Sequence, residues 1–165
     1  MKKTEKTRNK ARILIVDDHP IVRQGIIQMI DPEADLIVCG EAEDAHQAFD
    51  RIKTLEPDLL IVDITLKDIN GIELIKQIRG RKARGSPLDR IPILVLSMHD
   101  ELIYAERVFR AGARGYLMKQ EAPEMIVVAI REVLRGEIYL SDRMKSKVRY
   151  QLADGSRSIE FSLKS

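Results

Sequence analysis

Apolar residues fall into two kinds of run along the chain, and the two kinds alternate. Ile13-Leu14-Ile15-Val16, Leu36 to Cys39, Leu59-Leu60-Ile61-Val62, Ile91 to Leu96 and Gly115 to Met118 are short and almost wholly apolar. Continuous runs of this length, closed by turn residues, predict strands buried on both faces, as in a parallel sheet. Between them, apolar positions recur at helical spacing. The first such stretch opens at Pro20 and carries Ile21, Val22, Gly25, Ile26, Met29 and Ile30 until Asp31-Pro32 stops it. Asp44 caps the second, with Ala45, Ala48, Phe49, Ile52 and Leu55, which ends before Pro57. The third starts at Gly71 with Ile72, Leu74, Ile75 and Ile78, and the fourth carries Leu102, Ile103, Ala105, Val108 and Phe109. Pro123 opens the fifth, with Met125, Ile126, Val127, Ala129, Ile130, Val133 and Leu134, and Gly136 ends it. Five strands alternating with five helices predict an α/β sandwich around one parallel sheet, with right-handed crossovers.

The strands also share a way of ending. Asp17-Asp18 follows the first, Asp63 closes the third, Ser97 follows the fourth and Lys119 the fifth. Ligands of open parallel sheets bind at that carboxyl edge. Were the first and third strands neighbours, three carboxylates would meet and repel one another unless a cation sat among them. An all-oxygen set completed by water suits Mg²⁺ better than zinc. Each residue alone has a plain explanation: Asp18 as a helix cap, Ser97 as a loop hydroxyl, Lys119 as a solvated strand end. Four strand ends together do not. His19 and His46 are assigned only structural places.

Composition narrows the setting. The chain has 165 residues and a net charge of +2, enough for one domain with a real core and no second large one. Six Lys or Arg face one Glu up to Arg12, and five face Asp89 between Arg79 and Arg90, so the remainder is acidic. Residues 1–11 read as a disordered basic tail, and 80–90 as a polar loop of Gly, Ser, Pro and basic residues. No apolar run approaches the ~18 residues of a membrane span, and no secretory signal follows Met1. A cytoplasmic protein without membrane contact is expected. The single cysteine, Cys39, is placed as a small buried hydrophobe without redox chemistry.

Asp17-Asp18, Asp63 with Gly71 beyond it, Ser97 and Lys119 resemble the receiver domain of two-component response regulators, over roughly Arg12 to Gly136. Asp17-Asp18-His19-Pro20-Ile21-Val22-Arg23-Gln24-Gly25 and Gly136-Glu137-Ile138-Tyr139-Leu140-Ser141 are similar to the NarL/FixJ-type subfamily of LuxR-type transcriptional regulators. The resemblance implies a flavodoxin-like (βα)5 receiver with strand order 2-1-3-4-5 over residues 12–136. It implies that Asp63 accepts a phosphoryl group from a sensor histidine kinase or a small acyl phosphate. Asp17, Asp18, Asp63 and the backbone carbonyl of Thr65 would hold Mg²⁺, and Lys119 and Ser97 would meet the phosphoryl oxygens. Ser97 and Tyr116 would form the conformational switch, and Thr65 and His99 would tune dephosphorylation. No turnover of an external substrate is implied; a phosphorylation-dependent homodimer is.

The chain departs from the common receiver pattern at Lys67 and Gln120, where proline is frequent, and at Ser97, where threonine is commoner; none of these removes a ligand. Residues 137–165 read as a polar linker with a short helix from Asp142 to Val148 capped by Ser141, and a turn at Ala153 to Ser156. The helix-turn-helix domain that the family implies does not fit there, so DNA would be bound only through a domain absent from this chain. Two rival readings are a receiver-shaped interaction module that is never phosphorylated, and an aspartate-nucleophile phosphatase. The second ordinarily needs Asp-x-Asp, where this chain has Asp17-Asp18-His19.

Overall fold

Branched aliphatic residues dominate each short apolar run, and they favour the pleated backbone on which they pack. In the computed structural model, which describes residues 9–80, 90–98 and 102–146, they form β1 (Ala11–Val16), β2 (Leu36–Ala42), β3 (Leu59–Asp63), β4 (Ile93–Ser97) and β5 (Gly115–Met118). The helices between and after them are α1 (Pro20–Ile30), α2 (Ala45–Leu55), α3 (Gly71–Gly80), α4 (Leu102–Ala111) and α5 (Ala122–Leu134). All strand pairs are parallel and the order is β2-β1-β3-β4-β5, a flavodoxin-like receiver fold as expected.

The pleat sends alternate residues to opposite faces. Leu14, Val16, Leu60, Val62, Ile93, Val95 and Tyr116 pack with residues of α2, α3 and α4. Their neighbours Ile13, Ile15, Leu59, Ile61, Leu94, Leu96 and Leu117 pack with α1 and α5. Burial on both faces is why the strands read as unbroken apolar runs.

Several boundaries differ from the sequence reading. β2 continues past Cys39 to Ala42, accommodated by a register shift between Ile13 and Leu14. β4 starts at Ile93, because Pro92 has no N–H to give the ladder and serves only as acceptor, its carbonyl taking Leu60 N–H at 3.0 Å. Ile21 is not a core residue: it is 85% exposed. The buried stripe of α1 is Arg23, Ile26 and Ile30, which turns Ile21, Gln24 and Gln28 to solvent.

The stretch after α5 packs on the sheet. Tyr139 N–H donates to Arg114 O at 3.0 Å and Tyr116 N–H to Tyr139 O at 3.1 Å, a parallel bridge that covers the β5 edge. Ser141 caps the short helix expected there, described over 142–146, with its hydroxyl accepting Met144 N–H at 3.2 Å. Leu140 and Met144 are buried in the core cluster on the face that α2, α3 and α4 cover. The basic tail before residue 9, His99, and the Ala153 to Ser156 turn lie outside the described residues, as does nearly all of the 80–90 loop. Among the described residues no helix is long and apolar enough to cross a membrane.

Candidate functional site

Register delivers the candidate residues to one edge. Val16 pairs with Val62, so Asp17 comes one rung later, level with Asp63. Asp63 pairs with Leu96, and Ser97 with Met118; Ser97 and Lys119 therefore follow on successive rungs. Lys119 Nζ stands 3.1 Å from Asp63 Oδ2 and 3.3 Å from Asp17 Oδ2. Asp17, Asp63 and Ser97 are each 1% exposed.

Three largely buried carboxylates against one ammonium leave negative charge poorly compensated. Burial, and next the charge of Asp17, push the Asp63 carboxyl up from its ordinary value, against Lys119 and the Thr65 N–H, which pull it down. Asp17 Oδ2, although near Nζ, is not aligned for a hydrogen bond, and it and Asp18 Oδ1 are buried without a donor. Orphaned acceptors of this kind are costly. A divalent cation would satisfy them, and oxygen donors that converge this closely suit one.

The loop after Asp63 is held by its own residues. Thr65 bridges Asn70, Gly71 N–H donates to Ile64 O at 2.7 Å, and the Asn70 side chain accepts Ile72 N–H at 2.7 Å at the start of α3. Asp68 reaches across to accept Ala45 N–H at 2.9 Å. A side chain at position 71 would overlap the carbonyl oxygen of Asp63 and come within 2.8 Å of Ile64 Cα. Glycine there is a condition of bringing α3 against the acceptor strand. Thr65 Oγ1 lies 3.4 Å from both Asp63 oxygens. Tyr116 is fully buried.

Two residues escaped the sequence reading. His19, set aside there as structural, brings Nδ1 to 3.0 Å from Asp17 Oδ1, 2.9 Å from Asp18 Oδ1 and 3.8 Å from Asp63 Oδ2. Its position directly after the acid pair was the available signal. Arg23, one helical turn further along α1, donates to the Asp17 carbonyl from its buried guanidinium and to Glu41 Oε1 at 2.9 Å. It thereby ties the backbone of the site to β2. The pairing of an arginine four positions after His19 with a glutamate on β2 carries no local sequence pattern.

The family model for the response regulator receiver domain matches residues 13–131. The chain is 34% identical over 134 residues to the nitrate/nitrite response regulator protein NarL of Escherichia coli, covering 81% of this chain and 59% of that protein. It is 36% identical over 130 residues to the uncharacterized transcriptional regulatory protein YxjL of Bacillus subtilis, covering 79% and 57%. The chain thus spans about three fifths of the length of these curated relatives. A crystal structure of a LuxR-family two-component response regulator from Aurantimonas superposes with a TM-score of 0.79 at 33% identity, covering 87% of this chain and 99% of that one. The fold, the strand-end residues and these matches together make the chain a member of the response regulator receiver domain family, with NarL- and LuxR-type relatives.

Proposed function

We propose that this receiver is a phosphorylation-dependent switch in which Asp63 is the phosphoryl acceptor. The observation that carries the reading is the convergence of Asp17, Asp18, Asp63 and Lys119 on one buried point with unsatisfied carboxylate oxygens. An Asp63 oxygen attacks phosphorus in line. The bond from phosphorus to the imidazole nitrogen of a kinase phosphohistidine, or to the oxygen of a small acyl phosphate, breaks as the donor leaves. Positioning and charge neutralisation do most of the work in such transfers. Asp17, Asp18, Asp63 and the Thr65 carbonyl would hold Mg²⁺, and the ion would supply charge neutralisation to the transferring group. Lys119 offers a mobile point charge and Ser97 a hydroxyl donor to the phosphoryl oxygens.

The switch is a shift of population between two conformations, since a phosphoryl group favours only the state that contacts it better. Moving a 1:99 mixture to 99:1 takes ~5.5 kcal/mol, whereas one charge-assisted hydrogen bond contributes about 1.5–3. Ser97 and Lys119 must therefore act together. Tyr116, on the strand between them and the 137–146 stretch, is the residue we assign to relay the change. The output we infer is control of transcription, in keeping with the relatives' names, with a sensor histidine kinase as the donor protein.

Intact-mass measurement after incubation with acetyl phosphate and Mg²⁺ tests the assignment. One phosphoryl group should be added to the wild-type chain and none to Asp63→Asn. Wild-type uptake by Asp63→Asn, or no uptake by wild type, would end it.

A further inference from the structure

His19 occupies the N-cap of α1, where a side chain ordinarily bonds first-turn amides, yet it makes no such bond. Pro20 follows it, and a residue before proline is steered to extended backbone, here φ −98° and ψ 108°. That conformation carries the imidazole over the acidic cluster. One ring nitrogen has at most one hydrogen, so Nδ1 cannot give a well-aligned bond to both oxygens that lie within 3.0 Å of it. It is aligned on Asp17 Oδ1. Asp18 Oδ1, on a side chain only 8% exposed, is left without a donor.

A cation at the common centre resolves the conflict. With metal–ligand bonds of about 2.1 Å, ligands at right angles lie about 3.0 Å apart, the spacing that Nδ1 keeps from the two oxygens. One atom each from Asp17, Asp18, His19 and Asp63 can be chosen so that all lie within 4.8 Å of one another.

We propose that His19 supplies a nitrogen ligand to this centre. The consequence is selectivity: imidazole raises affinity for borderline divalent ions such as cobalt, nickel and zinc, and does much less for magnesium. The inference rests on reading the acidic cluster as a metal centre. Because the His19 side chain is 57% exposed, the ring can close on an ion without disturbing the core.

The test is binding of Co²⁺ and of Mg²⁺, each alone, to the unphosphorylated chain, with proton NMR of the Co²⁺ form. Wild type should show a paramagnetically shifted imidazole resonance. His19→Ala should lose that signal and bind Co²⁺ about tenfold or more weakly, with Mg²⁺ affinity kept within about threefold. His19→Asn, which restores a good N-cap, should behave the same way with its melting temperature maintained. Persistence of the shifted signal in either variant, equal losses for the two ions, or unchanged Co²⁺ affinity would overturn the proposal. So would tighter Co²⁺ binding, which would mean that the ring merely holds the cation's place. Failure of the phosphoswitch is separate: it would appear as absent phosphoryl uptake in a chain whose shifted resonance is intact.

Discussion

Two glycines should answer the same substitution with opposite signs. At Gly71 an added methyl overlaps the Asp63 carbonyl oxygen and sits 2.8 Å from Ile64 Cα, where ordinary contact begins at 3.4 Å. Both neighbours are backbone at the end of β3 and cannot turn away like side chains. The strand end or the start of α3 must move by at least about 0.6 Å, the difference of those two distances. Overpacking of this kind costs about 1–3 kcal/mol, and each kcal/mol is worth about 2–4 °C of melting temperature in a chain of this size. Gly71→Ala should therefore melt several degrees lower. Because the moved atoms carry Asp63, phosphoryl uptake should fall about 10- to 100-fold, given that a misplacement near 1 Å can cost about 100-fold. At Gly25, inside α1, a methyl meets nothing within 4 Å, and Gly25→Ala should stabilise by about 0.5–1 kcal/mol through helix propensity, leaving uptake intact. Urea or thermal unfolding and intact-mass time courses of both variants provide the check. Equal signs for the two stability changes, or wild-type uptake by Gly71→Ala, would refute the packing argument.

Asp63 imposes a pH dependence whose sign follows from its raised carboxyl. Its contribution to stability is complete below the ordinary value of 3.8 and is lost as pH rises through the higher folded-state value. Asp63→Asn should thus flatten the fall of the urea midpoint as pH rises above the ordinary carboxyl value of 3.8 and be the more stable protein at neutral pH. Lys119→Met removes the main influence holding that carboxyl down, so the same titration should fall more steeply with rising pH, and phosphoryl uptake should slow. Arg23→Met keeps the apolar stem but leaves the Asp17 carbonyl without its buried donor; a loss of about 1–3 kcal/mol in chemical denaturation is expected, with Mg²⁺ affinity lowered by about tenfold or more. Met144→Ala empties a position only 1% exposed and should cost about 2–5 kcal/mol; a near-neutral result would mean that the 142–146 helix is not part of the core.

What could be read in advance follows from which interactions are local. Strands buried on both faces leave an apolar run and a polar stop, so Asp17, Asp63, Ser97 and Lys119 stand out in the sequence as strand ends. Asp44 and Ser141 announced their caps, because a cap is a contact with the next turn. Ile21 misled because it satisfies helical spacing near Val22 while the buried stripe is centred on Arg23, whose charge hid it from a hydrophobic count. Arg23 itself is buried through partners on two other elements, the Asp17 carbonyl and Glu41. The covered β5 edge rests on one bridge between Gly115 and Tyr139, too short to leave an alternating pattern.

The electrostatics and the topology point to the same route for a signal. Transfer of a phosphoryl group to Asp63 adds further negative charge to a pocket that already holds three carboxylates and one lysine. Any conformation that relieves this must bring positive charge or donors nearer. Thr65 and His19 already offer donors beside these acids, and the ends of β4 and β5 add Ser97 and Lys119 on successive rungs. β5 is the strand whose far side is bonded to Tyr139, through the N–H of Tyr116. A change that draws the ends of β4 and β5 toward Asp63 therefore strains or breaks that bond before it reaches β2, which is separated from the acceptor strand by β1. Amide exchange at Tyr116 and Tyr139 should respond to phosphorylation ahead of exchange in β2, and the reverse order would place the output at the opposite end of the sheet.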